Sequence, residues 1–316
     1  MRALMLDTTG TLTLGDIALP ERPAECLIRV TRAGICGTDL QMLDGYADFV
    51  GIPGHEFVGV VENAPDRDRH WIGKRVVGEI NVGCGACAWC RSGSKEHCPQ
   101  RTVLGIRGRH GAFAEYLSLP AGNLHHVPDA VMDDAAVFVE PIAAACRIFE
   151  QIDIASTTRV AVIGDGRLGN LTAQVLRART PQVVMFGRHP HKLEIAAALG
   201  INAQPGDGLR DERFDVVIDA TGRPQGLARA IELVEPRGTI ILKSTFHGEI
   251  TTALWPIPVH EIAVIGSRCG PFTPAVDLLA SGVVRTAPLV SATFPLGDFA
   301  EAFDTARHQL KVLLAI

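Results

Sequence analysis

The fold of this chain is decided by the stretch Val160-Ala161-Val162-Ile163-Gly164-Asp165-Gly166-Arg167-Leu168-Gly169. An apolar strand runs directly into a G-x-G-x-x-G turn and then into a helix, which is the context that gives this glycine pattern its meaning. Gly164 makes the turn, Gly166 lets the backbone approach a pyrophosphate, and Gly169, beside Leu168, lets helix and strand pack closely. Because the helix N-terminus then faces the phosphates, the stretch predicts a dinucleotide-binding site.

The sequence around this turn alternates regularly between apolar runs and helical stretches. One predicted helix carries an apolar stripe at Leu168, Leu171, Val175 and Leu176, and another covers Pro224 to Val234. The alternation predicts an α/β fold, with a doubly wound parallel sheet of the Rossmann type over residues 151–288. The apolar runs are Arg159–Gly164, Gln182–Gly187, Phe214–Asp219, Gly238–Leu242 and Glu261–Gly266.

A second lobe is predicted because 316 residues with 47% hydrophobic content exceed what one core usually holds. Residues 1–150 show short alternating segments such as Cys26–Val30 and Phe57–Val61, separated by Gly and Pro, which is typical of antiparallel strands. From residue 289 this character returns, with a short helix at Ala300–Arg307 and a final apolar run at Val312–Ile316. We therefore assign residues 1–150 and 289–316 to a mostly β lobe.

Charge and composition exclude several functions. A formal net charge of −5 and a pI near 6.1 provide no basic surplus for a phosphate backbone, so nucleic acid is not an expected partner. The start of the sequence contains no apolar signal core, and Glu140 and Pro141 interrupt the apolar stretch Ala135–Cys146. We expect a cytoplasmic protein that does not bind a membrane. In that compartment its eight cysteines stay reduced, which favours metal binding over disulfides.

Four cysteines lie within fifteen residues, in the pattern C-x2-C-x2-C-x7-C. They are Cys84, Cys87, Cys90 and Cys98. Four thiolates can enclose a zinc ion in a closed tetrahedron that has no open position for water. The spacing therefore favours a structural zinc, with an iron–sulfur cluster as the alternative.

A second set of donors combines Cys36, His55, Glu56 and the distant Glu140. One thiolate, one imidazole and one or two carboxylates can bind zinc and leave a position open for substrate, where the metal acts as a Lewis acid on an alcohol oxygen. Thr38, two residues after Cys36, is placed to hold that oxygen and pass on its proton, and Asp39 to orient a ligand. Each signal alone is weak, but their conjunction with the four cysteines predicts a catalytic zinc.

The choice of dinucleotide depends on the end of the second strand of the α/β lobe. An acid there would hold the ribose 2′-hydroxyl of NAD, but this chain has Gly187, Arg188 and His189. The glycine makes room, and Arg188, helped by His189 or Lys192, offers positive charge to a 2′-phosphate. The sequence therefore favours NADP over NAD; the alternative is that Arg188 is a loop cation and NAD is held otherwise.

Taken in order, these motifs resemble the zinc-dependent medium-chain alcohol dehydrogenase family over essentially the whole chain. The resemblance implies a GroES-like catalytic lobe, and catalytic zinc on Cys36 and His55 with Glu56, Glu140 or both, as in the polyol and threonine dehydrogenase branch. It also implies a small alcohol or carbonyl substrate, contact of Lys311 with the cofactor pyrophosphate, and a homodimer or homotetramer paired through the cofactor lobes.

Two departures from that family limit what the resemblance implies. Many relatives have a proton-relay histidine five residues after the zinc cysteine, where this chain has Gln41, which cannot exchange protons as imidazole does. The chain is also shorter than most relatives, with only nineteen positions from Cys36 to His55, so loops that shape substrate pockets are trimmed.

The sequence thus predicts hydride transfer between NADP(H) and a secondary alcohol or polyol. One alternative is a carbonyl reductase acting mainly toward alcohol. Another is a non-catalytic, nucleotide-binding regulatory protein, which the retention of all predicted zinc ligands disfavours.

Overall fold

The computed structural model describes residues 1–206, 212–244 and 249–316. Two units emerge from the packing: residues 1–140 with 290–316, and residues 141–289. Within the described residues, no helix combines the length and the apolar character needed to cross a bilayer.

The elements are numbered in chain order over the described residues. The strands are β1 Arg2–Leu6, β2 Leu12–Asp16, β3 Cys26–Gly34, β4 Glu56–Asn63, β5 Arg75–Gly78, β6 Asn81–Val82, β7 Thr102–Leu104, β8 Gly108–Arg109, β9 Tyr116–Leu119, β10 Leu124–His126, β11 Val160–Ile163, β12 Val183–Gly187, β13 Asn202–Pro205, β14 Phe214–Asp219, β15 Val234–Leu242, β16 Ala263–Gly266, β17 Val290–Pro295 and β18 Lys311–Ala315. The α-helices are α1 Gly37–Leu43, α2 Ala88–Arg91, α3 Asp133–Ala136, α4 Val139–Cys146, α5 Ile148–Gln151, α6 Arg167–Arg177, α7 Pro190–Ala198, α8 Gln225–Leu233, α9 Pro256–Val259, α10 Phe272–Ala280 and α11 Phe299–His308.

The second unit is built on a parallel six-stranded sheet in the order β13-β12-β11-β14-β15-β16. Its first strand in the chain, β11, is buried at all four residues, as expected for a central strand covered on both faces. Because strand order reverses between β11 and β14, the sheet has the switch point at which doubly wound folds bind ligands. The fold is therefore the predicted Rossmann-like sheet.

The first unit is mostly β, with a seven-stranded sheet in the order β10-β5-β4-β3-β18-β17 and with β9 also paired to β3. The long strand β3 is central, because β4 and β18 run antiparallel along it. A hairpin of β1 and β2 and a small sheet of β6, β7 and β8 complete the unit. This is the mostly β lobe that the sequence predicts, and the chain enters it twice, since β17 and β18 follow the six-stranded sheet in sequence.

Two details differ from the sequence expectations. The division between the units falls after Glu140 rather than after residue 150, because α5 packs with the second unit: Gln151 Nε2 donates a hydrogen bond to the Gly266 carbonyl at 2.9 Å. Strand β13 was not predicted, since the segment Asn202–Pro205 contains one apolar alanine between polar residues and a proline. It lies at the edge of the sheet, where a proline is tolerated.

Candidate metal and cofactor sites

The register of β3 against β4 brings the mixed donors together. Gly34, at the end of β3, pairs with Glu56, the first residue of β4, so Cys36 lies beside His55 and Glu56. The three ligand atoms lie within 4.8 Å of one another, and His55 and Glu56 are buried. We call Cys36, His55 and Glu56 the mixed-donor cluster. Its donor types and their convergence fit a zinc ion.

Asp39 orients two members of this cluster from the first turn of α1. Its Oδ2 accepts a hydrogen bond from the Cys36 amide at 2.7 Å, and its Oδ1 accepts one from the Gly54 amide at 3.3 Å. The same Oδ1 lies 3.3 Å from His55 Nδ1. Burial opposes protonation of His55, but Asp39 and Cys36 outweigh it and raise the pKa of the imidazole above its usual value. Asp39 therefore contacts both the Cys36 backbone and the His55 ring, and its role in orienting a zinc ligand stays a prediction.

Lys311 is buried beside the mixed-donor cluster. Its ammonium is fully buried, donates to Glu56 Oε2 and to the Ile35 carbonyl oxygen at 3.4 Å, and lies 5.4 Å from the centroid of the Phe138 ring. It is the counter-ion of Glu56 in the described structure, and its contact with the cofactor pyrophosphate stays a prediction. One sequence signal could have found this pair, because a lysine inside the apolar run Lys311–Ala315 needs a buried acidic partner.

Thr38 and Glu140 differ in how closely they approach the cluster. Thr38 Oγ1 lies 3.9 Å from Cys36 Sγ. Glu140, partly buried on α4, is not among the ligand atoms that converge within 4.8 Å. Of the two carboxylates predicted as ligands, Glu56 is therefore the one that converges with the thiol and the imidazole in the described structure, and ligation by Glu140 stays a prediction.

The four predicted cysteines form a second cluster, the four-cysteine cluster, around the short helix α2. The sulfur atoms of Cys84, Cys87, Cys90 and Cys98 lie within 4.8 Å of one another, and all eight cysteines of the chain are free thiols. The amides of Ala86 and Cys87 lower the pKa of Cys84 to about 6, so this thiol is ready to ionise as a metal ligand must. The set fits a closed zinc site.

A partly buried ion pair ties the four-cysteine loop to the main sheet. Lys95, in the 3-10 turn Lys95–His97, lies 2.7 Å from Glu79 Oε2, and His125 Nε2 lies 2.8 Å from Glu79 Oε1. Burial would raise the pKa of Glu79, but the bonds to His125 and Lys95 prevail and lower it. Glu79 therefore stays ionised at neutral pH and anchors the loop.

The glycine turn has the geometry that its sequence predicts. β11 ends at Ile163, Gly164 adopts a φ of 117°, and α6 begins at Arg167 after Gly166 as N-cap. A Cβ on Gly169 would lie 1.9 Å from the Gly164 carbonyl oxygen, so the third glycine is needed for helix and strand to approach. Beside Gly166 there is open space, as approach of a pyrophosphate requires.

At the end of β12, the structure reveals a carboxylate that sequence reasoning missed. Asp165, from inside the glycine turn, accepts hydrogen bonds at Oδ2 from the amides of Arg188 at 2.6 Å and His189 at 2.7 Å. The His189 ring Nδ1 lies 3.0 Å from both of its oxygens. Burial alone would raise the pKa of Asp165. The hydrogen bonds from His189 and Arg188 together outweigh burial and lower the pKa, so the carboxylate is ionised at neutral pH. Arg188 itself is exposed.

Comparison with known families matches both units. Residues 22–129 match the alcohol dehydrogenase GroES-like domain, and residues 168–281 match the zinc-binding dehydrogenase domain.

Two relatives align along nearly the whole of this chain and nearly the whole of their own length. It is 33% identical to an L-threonine 3-dehydrogenase of Streptomyces avermitilis, over 97% of this chain and 96% of the relative. It is 30% identical to an erythritol/L-threitol dehydrogenase of Mycolicibacterium smegmatis, over 99% of this chain and 97% of the relative.

Solved structures agree with the fold. A zinc-binding dehydrogenase from Sinorhizobium meliloti 1021, bound to NADP, superposes with a TM-score of 0.91 at 28% identity, covering 100% of this chain and 99% of that one. An alcohol dehydrogenase from Escherichia coli CFT073, complexed with NADH, gives 0.93 at 27% identity with the same coverage.

Fold, donor clusters and relatives together define an oxidoreductase that uses zinc and a nicotinamide dinucleotide. The chain belongs to the zinc-dependent medium-chain alcohol dehydrogenase family, in its polyol and threonine dehydrogenase branch. It is an enzyme of the alcohol or polyol oxidoreductase class.

Proposed function

We propose that the chain interconverts a secondary alcohol or polyol and its carbonyl partner, with the mixed-donor cluster of the first unit as its catalytic centre. The observation that carries this proposal is the convergence of Cys36, His55 and Glu56 within 4.8 Å, in a set of donors that a zinc ion can share with a substrate. When bound, the zinc supplies Lewis-acid polarisation of the substrate oxygen, and the nicotinamide accepts or donates the hydride.

The protein's own residues would then bind, orient and move a proton. Asp39 holds the segment at Cys36 and lies against His55, so it fixes the geometry of two ligands. The Thr38 hydroxyl, beside Cys36, would accept the proton of the alcohol while it passes its own proton onward. Gln41 cannot relay that proton as a histidine would, so the proton would leave through water or another group.

The four-cysteine cluster would hold a second, structural zinc. Four sulfur donors leave no position for substrate, and the cluster lies on the short elements α2 and Lys95–His97 in the same unit. Together, the four-cysteine cluster and the mixed-donor cluster would bind about two zinc ions per chain.

The cofactor unit is proposed to be residues 141–289, with Gly164, Gly166, Leu168 and Gly169 at the pyrophosphate. NADP is the preferred dinucleotide in this proposal, since Arg188 is exposed at the end of β12 and no side chain extends from Gly187. His189 adds a second nitrogen there, although it is engaged by Asp165.

Pairing of two copies through their cofactor units is also proposed. β16 is the last strand of the described six-stranded sheet, and three of its four residues are exposed, including Val264. An exposed edge strand is a template for pairing with a second copy. Nearby in sequence, Trp255 and Val259 are each 63% exposed, so they add apolar surface that a second copy could cover.

A cytoplasmic location stays a prediction.

The proposal is tested by zinc analysis of the purified protein, followed by a panel of secondary alcohols, polyols and their carbonyl partners. Rates are measured with both dinucleotides and in both directions. About two zinc ions per chain and hydride transfer with some member of the panel are expected. One zinc and no transfer with any member would overturn the assignment of the mixed-donor cluster. A much faster rate toward alcohol at neutral pH would make the chain a carbonyl reductase.

A further inference from the structure

We propose that Asp165 is a specificity-determining residue that opposes the 2′-phosphate of NADP and thereby limits the preference of this chain for NADP over NAD. The inference rests on the proposed function insofar as the second unit binds a nicotinamide dinucleotide. It concerns the end of β12, where doubly wound folds hold the adenosine ribose, with an acid for the 2′-hydroxyl or an arginine for a 2′-phosphate.

The acid missing from position 187 is supplied from the glycine turn. A Cβ built on Gly187 would lie 2.5 Å from the Asp165 Cβ and 2.6 Å from its Oδ2. The Asp165 side chain therefore fills the space into which an acid at the end of the second strand would project. With a 6% exposed fraction, it is a fixed part of the site rather than a surface charge.

The same carboxylate occupies the groups that an incoming phosphate would use. Backbone amides in succession form an anion-binding concavity, and here both amides, of Arg188 and His189, already donate to Asp165 Oδ2. The His189 ring, which could also face a phosphate, lies against the same carboxylate. A 2′-phosphate would have to displace Asp165 or lie beside its negative charge, whereas a neutral 2′-hydroxyl could donate to it.

Arg188 and Asp165 therefore act in opposite directions, and the dinucleotide preference is their balance. This also means that Gly187→Asp is an unsuitable variant for testing cofactor choice, because its side chain would collide with Asp165. The informative changes are Asp165→Asn, which keeps the shape and removes the charge, and Arg188→Ser, which removes the attraction.

The experiment measures dissociation constants of NADP and NAD by calorimetry, without substrate, for the wild type and four variants. Asp165→Asn should lower the ratio Kd(NADP)/Kd(NAD) by about tenfold or more, and Arg188→Ser should raise it by about tenfold. The control is Glu194→Gln, which removes one negative charge from an exposed position on α7. It should change the ratio by less than about twofold, because exposed charges are screened.

The fragments 2′,5′-ADP and 5′-AMP are measured as well, since they report on the ribose site alone. Asp165→Ser serves as the second charge-removing variant, and thermal unfolding verifies that each variant is folded. A ratio in folded Asp165→Asn or Asp165→Ser that stays within twofold of the wild type overturns the inference. Failure of the wild type to bind either dinucleotide would instead refute the proposed cofactor unit.

Discussion

The mixed-donor cluster and the four-cysteine cluster lie in the same unit and each converge within 4.8 Å, but they differ in surroundings. His55 and Glu56 are buried and are flanked by the buried charges of Asp39 and Lys311. In the four-cysteine cluster, Cys98 is buried while the other three thiols are partly or fully exposed. The first depends on buried charges from distant parts of the chain, whereas the second depends on a local loop.

Because their surroundings differ, the two clusters should respond differently to substitutions. A buried set of mixed charges must be neutralised by its neighbours, so a change at one group leaves another unpaired. The thiols of a local loop contact few side chains from the rest of the chain. The stability of such a loop therefore comes mainly from the metal that it encloses.

Cys36→Ser should produce the largest effect on activity. Loss of a ligand removes the Lewis acid from the substrate, so the rate of hydride transfer should fall by about 10³-fold or more. Zinc content should fall by about one ion per chain, while Tm changes by only a few degrees, about the effect of 1 kcal/mol. Steady-state kinetics, metal analysis and thermal unfolding check this, and wild-type activity in the variant would contradict the contrast.

Lys311→Met should be the costliest change in stability. It leaves the carboxylate of Glu56 buried without its cation, which destabilises by about 3–5 kcal/mol. Urea unfolding measures this loss, with Arg29→Met as control. Arg29 forms an exposed pair with Glu62, so its removal should cost about 1 kcal/mol or less. Equal losses of unfolding free energy in the two variants would show that the buried pair of Lys311 and Glu56 stabilises the fold no more than an exposed pair does.

Cys98→Ser should mainly affect stability rather than chemistry. Loss of the structural zinc should lower Tm by about 10 °C, corresponding to about 3 kcal/mol for a unit of this size. Assayed well below its Tm, the variant should retain most of its hydride-transfer rate. If its rate fell as far as that of Cys36→Ser while the variant remained folded, the two clusters would not have separate roles.

Glu79→Gln should have the smallest effect and a defined pH dependence. The change weakens the bonds to Lys95 and His125 and should cost about 1–2 kcal/mol at pH 7. Because the folded-state pKa of Glu79 is lowered, its contribution is fully present above the ordinary value of 4.5 and is lost as the pH falls through the lowered value. The difference in unfolding free energy between variant and wild type should shrink accordingly, and a constant difference from pH 7 to pH 3 would contradict this assignment.

Local patterns in the sequence predicted the fold well. The strand Phe214–Asp219 has the predicted bounds, and the helix predicted over Pro224–Val234 spans Gln225–Leu233. These elements show apolar periodicity or adjoin glycine turns, so their positions are encoded nearby. β13 carries no such signal, and it was missed.

Contacts between distant residues could not be predicted in the same way. Lys311 and Glu56 are 255 positions apart and meet only because β18 and β4 lie on the two sides of β3. Asp165 reaches the end of β12 because β11 and β12 are adjacent and parallel. A motif states which residue types are present, whereas sheet order decides which of them become neighbours. The buried pair of Lys311 and Glu56 is a contact that sheet order decides in this way.

The late return of the chain to the first unit has a consequence for the order of synthesis. β3 pairs with β18, yet the whole six-stranded sheet is translated between them. The second unit can fold on the ribosome while β3 still exposes unpaired backbone groups along part of its length. Until residue 311 emerges, Glu56 also lacks its cation. A nascent chain should therefore acquire a complete dinucleotide fold before it can assemble a stable mixed-donor cluster.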